Sequence, residues 1–384
     1  MSKVLIFSEM KAVIEKDGNS AWASGYSAIT EGIGLGLHHL GHEVKVLGIN
    51  YGQEPHNLPF GVIPFYSFET AMIQLKDILD GWFPDQMVVL LDMPNHGEIL
   101  KEYAHSAEYV AVFPIEGLPV LDKWAKSLKL ADRICVLSEF GAKALQDKGY
   151  KAYALPIAPT LSFGKAEKDV VDGLKEKVSL KDKFVILKVA DNHARKNWAH
   201  TFEHFAKFPR TNCVLNAVTR PQNEMGWEME ELLDRLGKRI EKSWTWELPN
   251  GNQIRIVFGV TRNDLAWLYN FSRDNGCLLI DSGNEGLCMP ILEAMNCGVC
   301  VVGSKHTAIE ENLKDGRGIL FDPGYRYTDV FGNVDRYFPE YADWEAALMK
   351  AMDNPDLRKS CTENATAWLK TRSWIDAAKI VVGE

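Results

Sequence analysis

Asp281-Ser-Gly-Asn-Glu-Gly-Leu-Cys-Met-Pro-Ile-Leu-Glu-Ala-Met-Asn-Cys-Gly-Val-Cys-Val-Val302 is the stretch whose reading decides the fold. The apolar run Cys277-Leu-Leu-Ile leads into Asp281 and reads as a buried strand. Ser282 to Gly286 is a loop of small residues that lets backbone amides point at an anion. Pro290 suits the first turn of a helix, where its missing N–H leaves no bond unmade. Gly298 closes that helix, and Val299-Cys-Val-Val-Gly resumes strand character. Strand, loop, helix, glycine and strand make one βαβ unit of a parallel sheet. The loop amides and the positive end of the helix dipole together suit a diphosphate.

The same grammar extends outward. Upstream in this half lie the strands Phe184-Val-Ile-Leu-Lys-Val-Ala, Cys213-Val-Leu-Asn-Ala-Val and Gln253-Ile-Arg-Ile-Val-Phe. A helix is expected over residues 263–271, with an Asn/Asp start that suits a cap. The first half repeats the alternation. Lys3-Val-Leu-Ile-Phe-Ser is a strand, residues 17–25 a loop rich in Gly, Ser and Asn, and Tyr26 to Leu40 a helix ended by Gly41. Further strands start at Glu43, Gln86, Tyr109 and Arg133, and a helix from Glu139 to Lys148 is closed by Gly149. Residues 155–182 break the pattern: a Pro-containing loop and the charged stretch Lys165 to Lys183 read as a link. The last 40 residues read as helices, with Trp368 and Trp374 as packing anchors. The expected class is α/β, with two doubly wound Rossmann-like domains facing a central cleft, where open α/β sheets take their ligands. The expected boundaries are 1–160, 161–365 and a final helix over 366–384.

Composition narrows the functions. The net charge is −9, and residues 1–165, with 14 basic and 19 acidic side chains, carry about −5 of it. A general polyanion binder would be basic, so wholesale nucleic-acid coating is excluded. The seven cysteines (135, 213, 277, 288, 297, 300, 361) read as reduced, mostly buried thiols of a cytoplasmic protein. No signal peptide and no run of about 18 apolar residues is visible, so no membrane span is expected.

Glu285 and Glu293, eight residues apart, are the chemical core of the stretch. Glu285 precedes the helix and Glu293 lies within it, so the loop can aim both carboxylates the same way. A carboxylate accepts two hydroxyl hydrogen bonds from a vicinal diol, as in a sugar or a ribose. Taken alone, the spacing is equally that of a loop Glu and an exposed helix Glu.

The segment Glu285-Gly-Leu-Cys-Met-Pro-Ile-Leu-Glu-Ala-Met-Asn-Cys-Gly resembles family 4 of the retaining glycosyltransferases and its E-x7-E motif. Val260 to Asn270, Gly316-Arg-Gly-Ile-Leu-Phe-Asp-Pro, Asn354-Pro-Asp-Leu-Arg, Gly25 to Leu47 and Leu130 to Gly141 are similar to other parts of that family. The resemblance implies a GT-B fold. It also implies transfer of a hexose or related sugar from a nucleoside-diphosphate sugar to a hydroxyl acceptor, with retention of anomeric configuration. Position by position, it implies that Glu293 binds ribose hydroxyls and Glu285 hydroxyls of the transferred sugar. Ser282, Asn284 and backbone around Gly286 and Leu287 would line the sugar and diphosphate. The family's basic pair maps onto Asp191 and Lys196, so the Lys is present and the Arg position carries the opposite charge. Arg195, beside Lys196, is the candidate substitute as a phosphate fork. Gly25 is a candidate for close backbone approach to phosphate or sugar.

Two loops after first-domain strands, Asp92-Met-Pro-Asn-His96-Gly and Phe113-Pro-Ile-Glu116-Gly, lie where an acceptor is expected. His96 and Glu116 are candidates to position or deprotonate its hydroxyl. The catalytic candidates are thus Glu285, Lys196, Arg195 and His96. No Asp-x-Asp triplet occurs, so no metal and no tightly bound cofactor is expected, and the donor substrate is a UDP-sugar or, second, a GDP-sugar. The acceptor is a small molecule, lipid or glycan. Two other readings compete. One is sugar transfer to hydroxymethylated bases in phage-type DNA, which a patch at Lys123, Lys126, Lys129 and Arg133 would serve. The other is an inactive sugar-nucleotide-binding module, the reading that Asp191 encourages.

Overall fold

The computed structural model describes residues 1–384 apart from 15–19, 23, 66, 161 and 331. The chain divides into two compact units. One comprises Met1–Thr160, Phe331–Val334 and Thr371–Glu384, and the other Leu161–Val330 and Asp335–Lys370.

In the first unit, seven parallel strands run in the spatial order Gly61–Phe65, Glu43–Ile49, Lys3–Glu9, Gln86–Leu90, Glu108–Phe113, Arg133–Val136 and Ala152–Ala154. The chain order reverses beside Lys3–Glu9, so successive crossovers cover opposite faces of the sheet. Its central strands are almost wholly buried, as Val4 to Phe7 and Met87 to Leu90 show, which is why they read as unbroken apolar runs. The closing helix Trp374–Val382 packs on helix Gly25–His39 through two glycines. A Cβ on Gly32 would lie 2.3 Å from the Trp374 ring, and one on Gly36 would lie 2.4 Å from the Trp374 carbonyl. Only glycine admits that approach. Of the glycine-rich stretch 17–25, residues 17–19 and 23 lie outside the described residues.

The main sheet of the second unit has eight strands. Gln253–Val257, Cys213–Val218, Phe184–Val189, Gly276–Ile280, Val301–Ser304 and Ile319–Phe321 are parallel in that spatial order. Thr245–Glu247 and Lys238–Arg239 add an antiparallel edge. Here the order reverses between Phe184–Val189 and Gly276–Ile280, and the carboxyl ends of these two neighbours define the switch point. All seven cysteines are free and buried. Among the described residues no helix is long and apolar enough to cross a membrane.

Three local expectations are corrected. The charged stretch 165–183 contains the helix Lys168–Lys177, whose Val171 packs with Leu180, Val185, Val214 and Phe271, so it belongs to the core of the second unit. The helix expected over 263–271 is Arg262–Arg273, and its cap is Thr261. The Thr261 side chain takes the Asp264 amide while Asp264 answers the Thr261 amide. The segment after Asp92 is no loop but the helix Met93–Tyr103, with Pro94 in its first turn.

Candidate functional site

The two loops at the switch point build the site. The first leaves strand Phe184–Val189, passes Asp191, makes a short turn at Ala194–Lys196 and enters helix Trp198–Lys207 through Asn197, whose φ of 54° reverses the chain. The second leaves strand Gly276–Ile280, runs from Asp281 to Cys288 and enters helix Met289–Asn296, with Pro290 in its first turn. The loops are stitched together by backbone, the Gly283 amide donating to the Arg195 carbonyl at 2.6 Å.

Glu285 is the hub. It is 6% exposed, forms an ion pair with the Lys196 ammonium, and accepts from Arg195 Nη1 at 3.2 Å on its other oxygen. The same guanidinium nitrogen reaches the Asn284 carbonyl at 3.2 Å. Burial alone would raise the Glu285 carboxyl, but the charges of Lys196 and Arg195 and hydrogen bonds from Lys196 and Ser282 hold it down at about 2. Glu285 is therefore a fixed anion at neutral pH, and the three charges sum to one positive. The Glu285 peptide is gripped as well: its amide donates to Thr307 Oγ1 and its carbonyl accepts from the Ala308 amide, both at 3.3 Å.

Glu293 behaves oppositely. It is 9% exposed and accepts a hydrogen bond from the Tyr269 hydroxyl at 2.7 Å. Burial pushes its carboxyl up to about 7, against the pull of that bond and of Arg262. Helix Met289–Asn296 carries no side-chain cap hydrogen bond; in its first turn Pro290 has no N–H and the Ile291 amide donates to the Cys288 carbonyl at 3.0 Å. Among the described residues, no group of three or more His, Cys, Asp or Glu side chains is disposed to hold a metal ion.

The profile of the family described as Glycosyl transferases group 1 matches residues 172–368, just over half of the chain. The chain belongs to that family. Among curated proteins, an O-antigen chain mannosyltransferase B of Escherichia coli is 29% identical over 149 residues, 39% of this chain and 32% of the relative. The serotype-specific mannosyltransferase WbdA of Escherichia coli is 25% identical over 217 residues, 55% of this chain and 23% of the relative. The chain thus matches only about a quarter to a third of these relatives' lengths. Among solved structures, sucrose-phosphate synthase from Thermosynechococcus elongatus aligns with TM-score 0.70 at 14% identity, covering 100% of this chain and 97% of that one. Anabaena HepE, solved in complex with UDP-glucose, aligns with TM-score 0.70 at 13% identity, covering 100% and 99%. At such identities the likeness concerns the fold, which is GT-B.

Within this group 1 glycosyltransferase domain, the structure brings Lys196, Arg195, Ser282 and Glu285 together at the loop junction. Asn284 is engaged otherwise. Its Oδ1 accepts from Arg336, which is 7% exposed, and its Nδ2 donates to the Asp335 carbonyl at 3.2 Å. Asn284 therefore anchors the hairpin Tyr325–Thr328/Asp335–Phe338. Gly286 and Leu287 are buried, and the Leu287 carbonyl is held by Asn312 Nδ2 at 2.7 Å. Asp191 is paired with Arg220 through two bonds of 2.7 and 2.5 Å. Burial would raise its carboxyl, yet the bond from Arg220 holds it below the usual range.

In the first unit, Gly25 opens its helix behind the Ser24 cap, and a Cβ there would meet nothing within 4 Å. The fold itself makes no demand for glycine at that position. Glu116 is half-buried in the loop after strand Glu108–Phe113. His96 is corrected. It is 0% exposed within a helix, its Nε2 donates to the Leu91 carbonyl at 3.3 Å, and its Nδ1 then accepts from the Tyr109 hydroxyl at 2.9 Å. Burial lowers its basicity to about 4, so it is a packed neutral imidazole rather than an acceptor-side base. The four-residue basic patch also separates. Lys126 and Lys129 line a depression with Lys148, whereas Lys123 lies over Trp124 and Arg133 is near Glu108.

Sequence reading missed four residues here. Tyr269 and Arg220 were passed over because each acts through a carboxylate distant in sequence. Arg336 lies on a hairpin that no motif announced. His306, whose ring stacks on Tyr337 at 4.7 Å, has its basicity lowered to about 4 by burial, against the opposing charge of Glu285.

Proposed function

We propose that this domain is a retaining glycosyltransferase of family 4 type that takes a hexose from a nucleoside-diphosphate sugar. The observation that carries the reading is the Lys196–Glu285–Arg195 cluster beside an uncapped helix end at the switch point of a GT-B donor-type sheet. Glu285, ionised and partly neutralised, accepts hydroxyl hydrogens of the transferred sugar. The positive charges of Lys196 and Arg195, with the Met289 amide at the helix start, face the diphosphate and stabilise it as it leaves. Glu293, braced by Tyr269, takes the two ribose hydroxyls. Gly25 gives room for sugar or phosphate, and Glu116 is the remaining acceptor-side candidate. The donor is bound by residues 161–365 and the acceptor by 1–160, without a metal and in the cytoplasm.

The curated relatives favour a mannosyl group, and the UDP-glucose complex of HepE favours UDP as the carrier. GDP-mannose and UDP-glucose are therefore the first donors to test. The acceptor reading is a hydroxyl of a glycan or lipid, in line with the O-antigen relative. Thermal-shift screening against UDP-, GDP-, ADP- and dTDP-sugars tests the proposal, since a ligand that binds only the folded state raises its apparent stability. At least one donor should raise the midpoint, and Glu293→Ala should weaken that response. The absence of any response would favour an inactive fold.

A further inference from the structure

Beneath the two loops lies a buried ion pair that the proposed chemistry does not use. Lys188, the penultimate residue of strand Phe184–Val189, is 1% exposed, and Asp281, just past the neighbouring strand, is 0% exposed. The Lys188 ammonium donates to Asp281 Oδ1, to the Thr201 hydroxyl at 2.6 Å and to the Lys196 carbonyl at 2.6 Å. The Trp198 ring lies 4.6 Å from its nitrogen. Three hydrogens thus meet three acceptors, with an aromatic face nearby. The second Asp281 oxygen receives Trp344 Nε1 at 3.2 Å and lies 2.8 Å from the Thr201 hydroxyl. The Asp281 carbonyl accepts from Asn197 Nδ2 at 2.8 Å.

Burying two charges costs desolvation, and well-packed apolar side chains would join the same strands at least as firmly. What apolar groups lack is direction. The ammonium specifies where the Lys196 peptide sits relative to Asp281, and Asp281 begins the loop that carries Glu285. We propose that Lys188 is a positioning residue. It registers the 191–197 loop against the 281–286 loop so that the side chains of Lys196 and Glu285 meet in one geometry. The catalytic part of this claim rests on the glycosyl-transfer reading given above.

Three variants test it: Thr201→Val, Thr201→Ser, and the charge-neutral double variant Lys188→Met/Asp281→Asn. Thr201→Val keeps the shape and removes the hydroxyl from the network. The double variant avoids leaving one charge alone. Two readouts are taken below the melting temperature of each variant. Amide hydrogen exchange over 191–197 and 281–288 should quicken by about tenfold in Thr201→Val and in the double variant, because local opening loses its restraint. For the sugar nucleotide that the wild type cleaves, kcat should fall about tenfold with KM within about threefold, as displaced catalytic groups imply. Thr201→Ser should restore both. Folded Thr201→Val and double variants with wild-type exchange and wild-type kcat would overturn the proposal. If the wild type cleaves none of the UDP-, GDP-, ADP- or dTDP-sugars, the catalytic reading falls, while the exchange rates still decide whether Lys188 registers the loops.

Discussion

Replacing Glu293 by glutamine separates the function of this carboxyl from its cost to the fold. In the folded chain burial holds its proton up to about 7, against an ordinary value of 4.5. Below pH 4.5 both folded and unfolded forms keep the proton and nothing is lost. Between the two values the folded form binds more protons, so stability falls as pH rises, and above about 7 the loss is complete. At about 1.4 kcal/mol per pH unit, the gap corresponds to about 3 kcal/mol. Glutamine carries no such proton, and its carbonyl still accepts from the Tyr269 hydroxyl. The stability of Glu293→Gln relative to wild type should therefore improve by about 3 kcal/mol between pH 4.5 and pH 8. Glu285 cannot mimic this, because its carboxyl is depressed to about 2 and its contribution is lost only as pH falls below 4.5. Urea unfolding followed by tryptophan fluorescence measures the difference, since seven of the eleven tryptophans lie within 161–370. The same variant should bind the sugar nucleotide about tenfold more weakly, because an amide replaces one of two hydroxyl acceptors. Parallel stability curves for the two proteins from pH 4.5 to 8 would refute the reasoning.

Lys196→Ala should lower turnover by about 100-fold or more while weakening donor affinity much less, the signature of a group that acts on developing charge, measured as kcat against KM. Arg220→Ala removes a pair whose partners are 56% and 41% exposed, so stability should change by less than about 1 kcal/mol in urea unfolding. Gly32→Ala drives a methyl into the Trp374 ring and should cost about 1–3 kcal/mol in the first unit, seen as a lower thermal midpoint.

The parallel strands were legible because burial on both faces leaves unbroken apolar runs, as in Val4-Leu-Ile-Phe7 and Cys277-Leu-Leu-Ile280. The loop-to-helix turn around Pro290 was legible because its local chemistry is self-contained. The helix Met93–Tyr103 was not, because Asp92-Met-Pro-Asn-His-Gly carries turn residues whose helical role depends on what they pack against. His96 illustrates this: only the tertiary fold sets Tyr109 and Phe113 against its ring.

At the site, the Glu pair and Lys196 were readable as types and spacings, but their charge states were not. Glu285 and Glu293 have the same side chain and sit eight residues apart, yet one is held near 2 and the other near 7. Both are buried, but the cations of residues 195–196 overcome that burial at Glu285, whereas at Glu293 burial outweighs the Tyr269 hydrogen bond and the charge of Arg262, a contrast no linear pattern reveals. Asp191, a charge reversal in the sequence, is in the fold one half of a pair with Arg220.

Release of nucleoside diphosphate from a sugar nucleotide tests the central claim most directly. The purified chain is incubated with UDP-glucose, GDP-mannose and their ADP and dTDP counterparts, with and without glycan acceptors. The account predicts release of UDP or GDP by the wild type, at least 100-fold slower in Lys196→Ala, as loss of one charge-stabilising donor implies. Release from no donor, or equal release by wild type and Lys196→Ala, would contradict it.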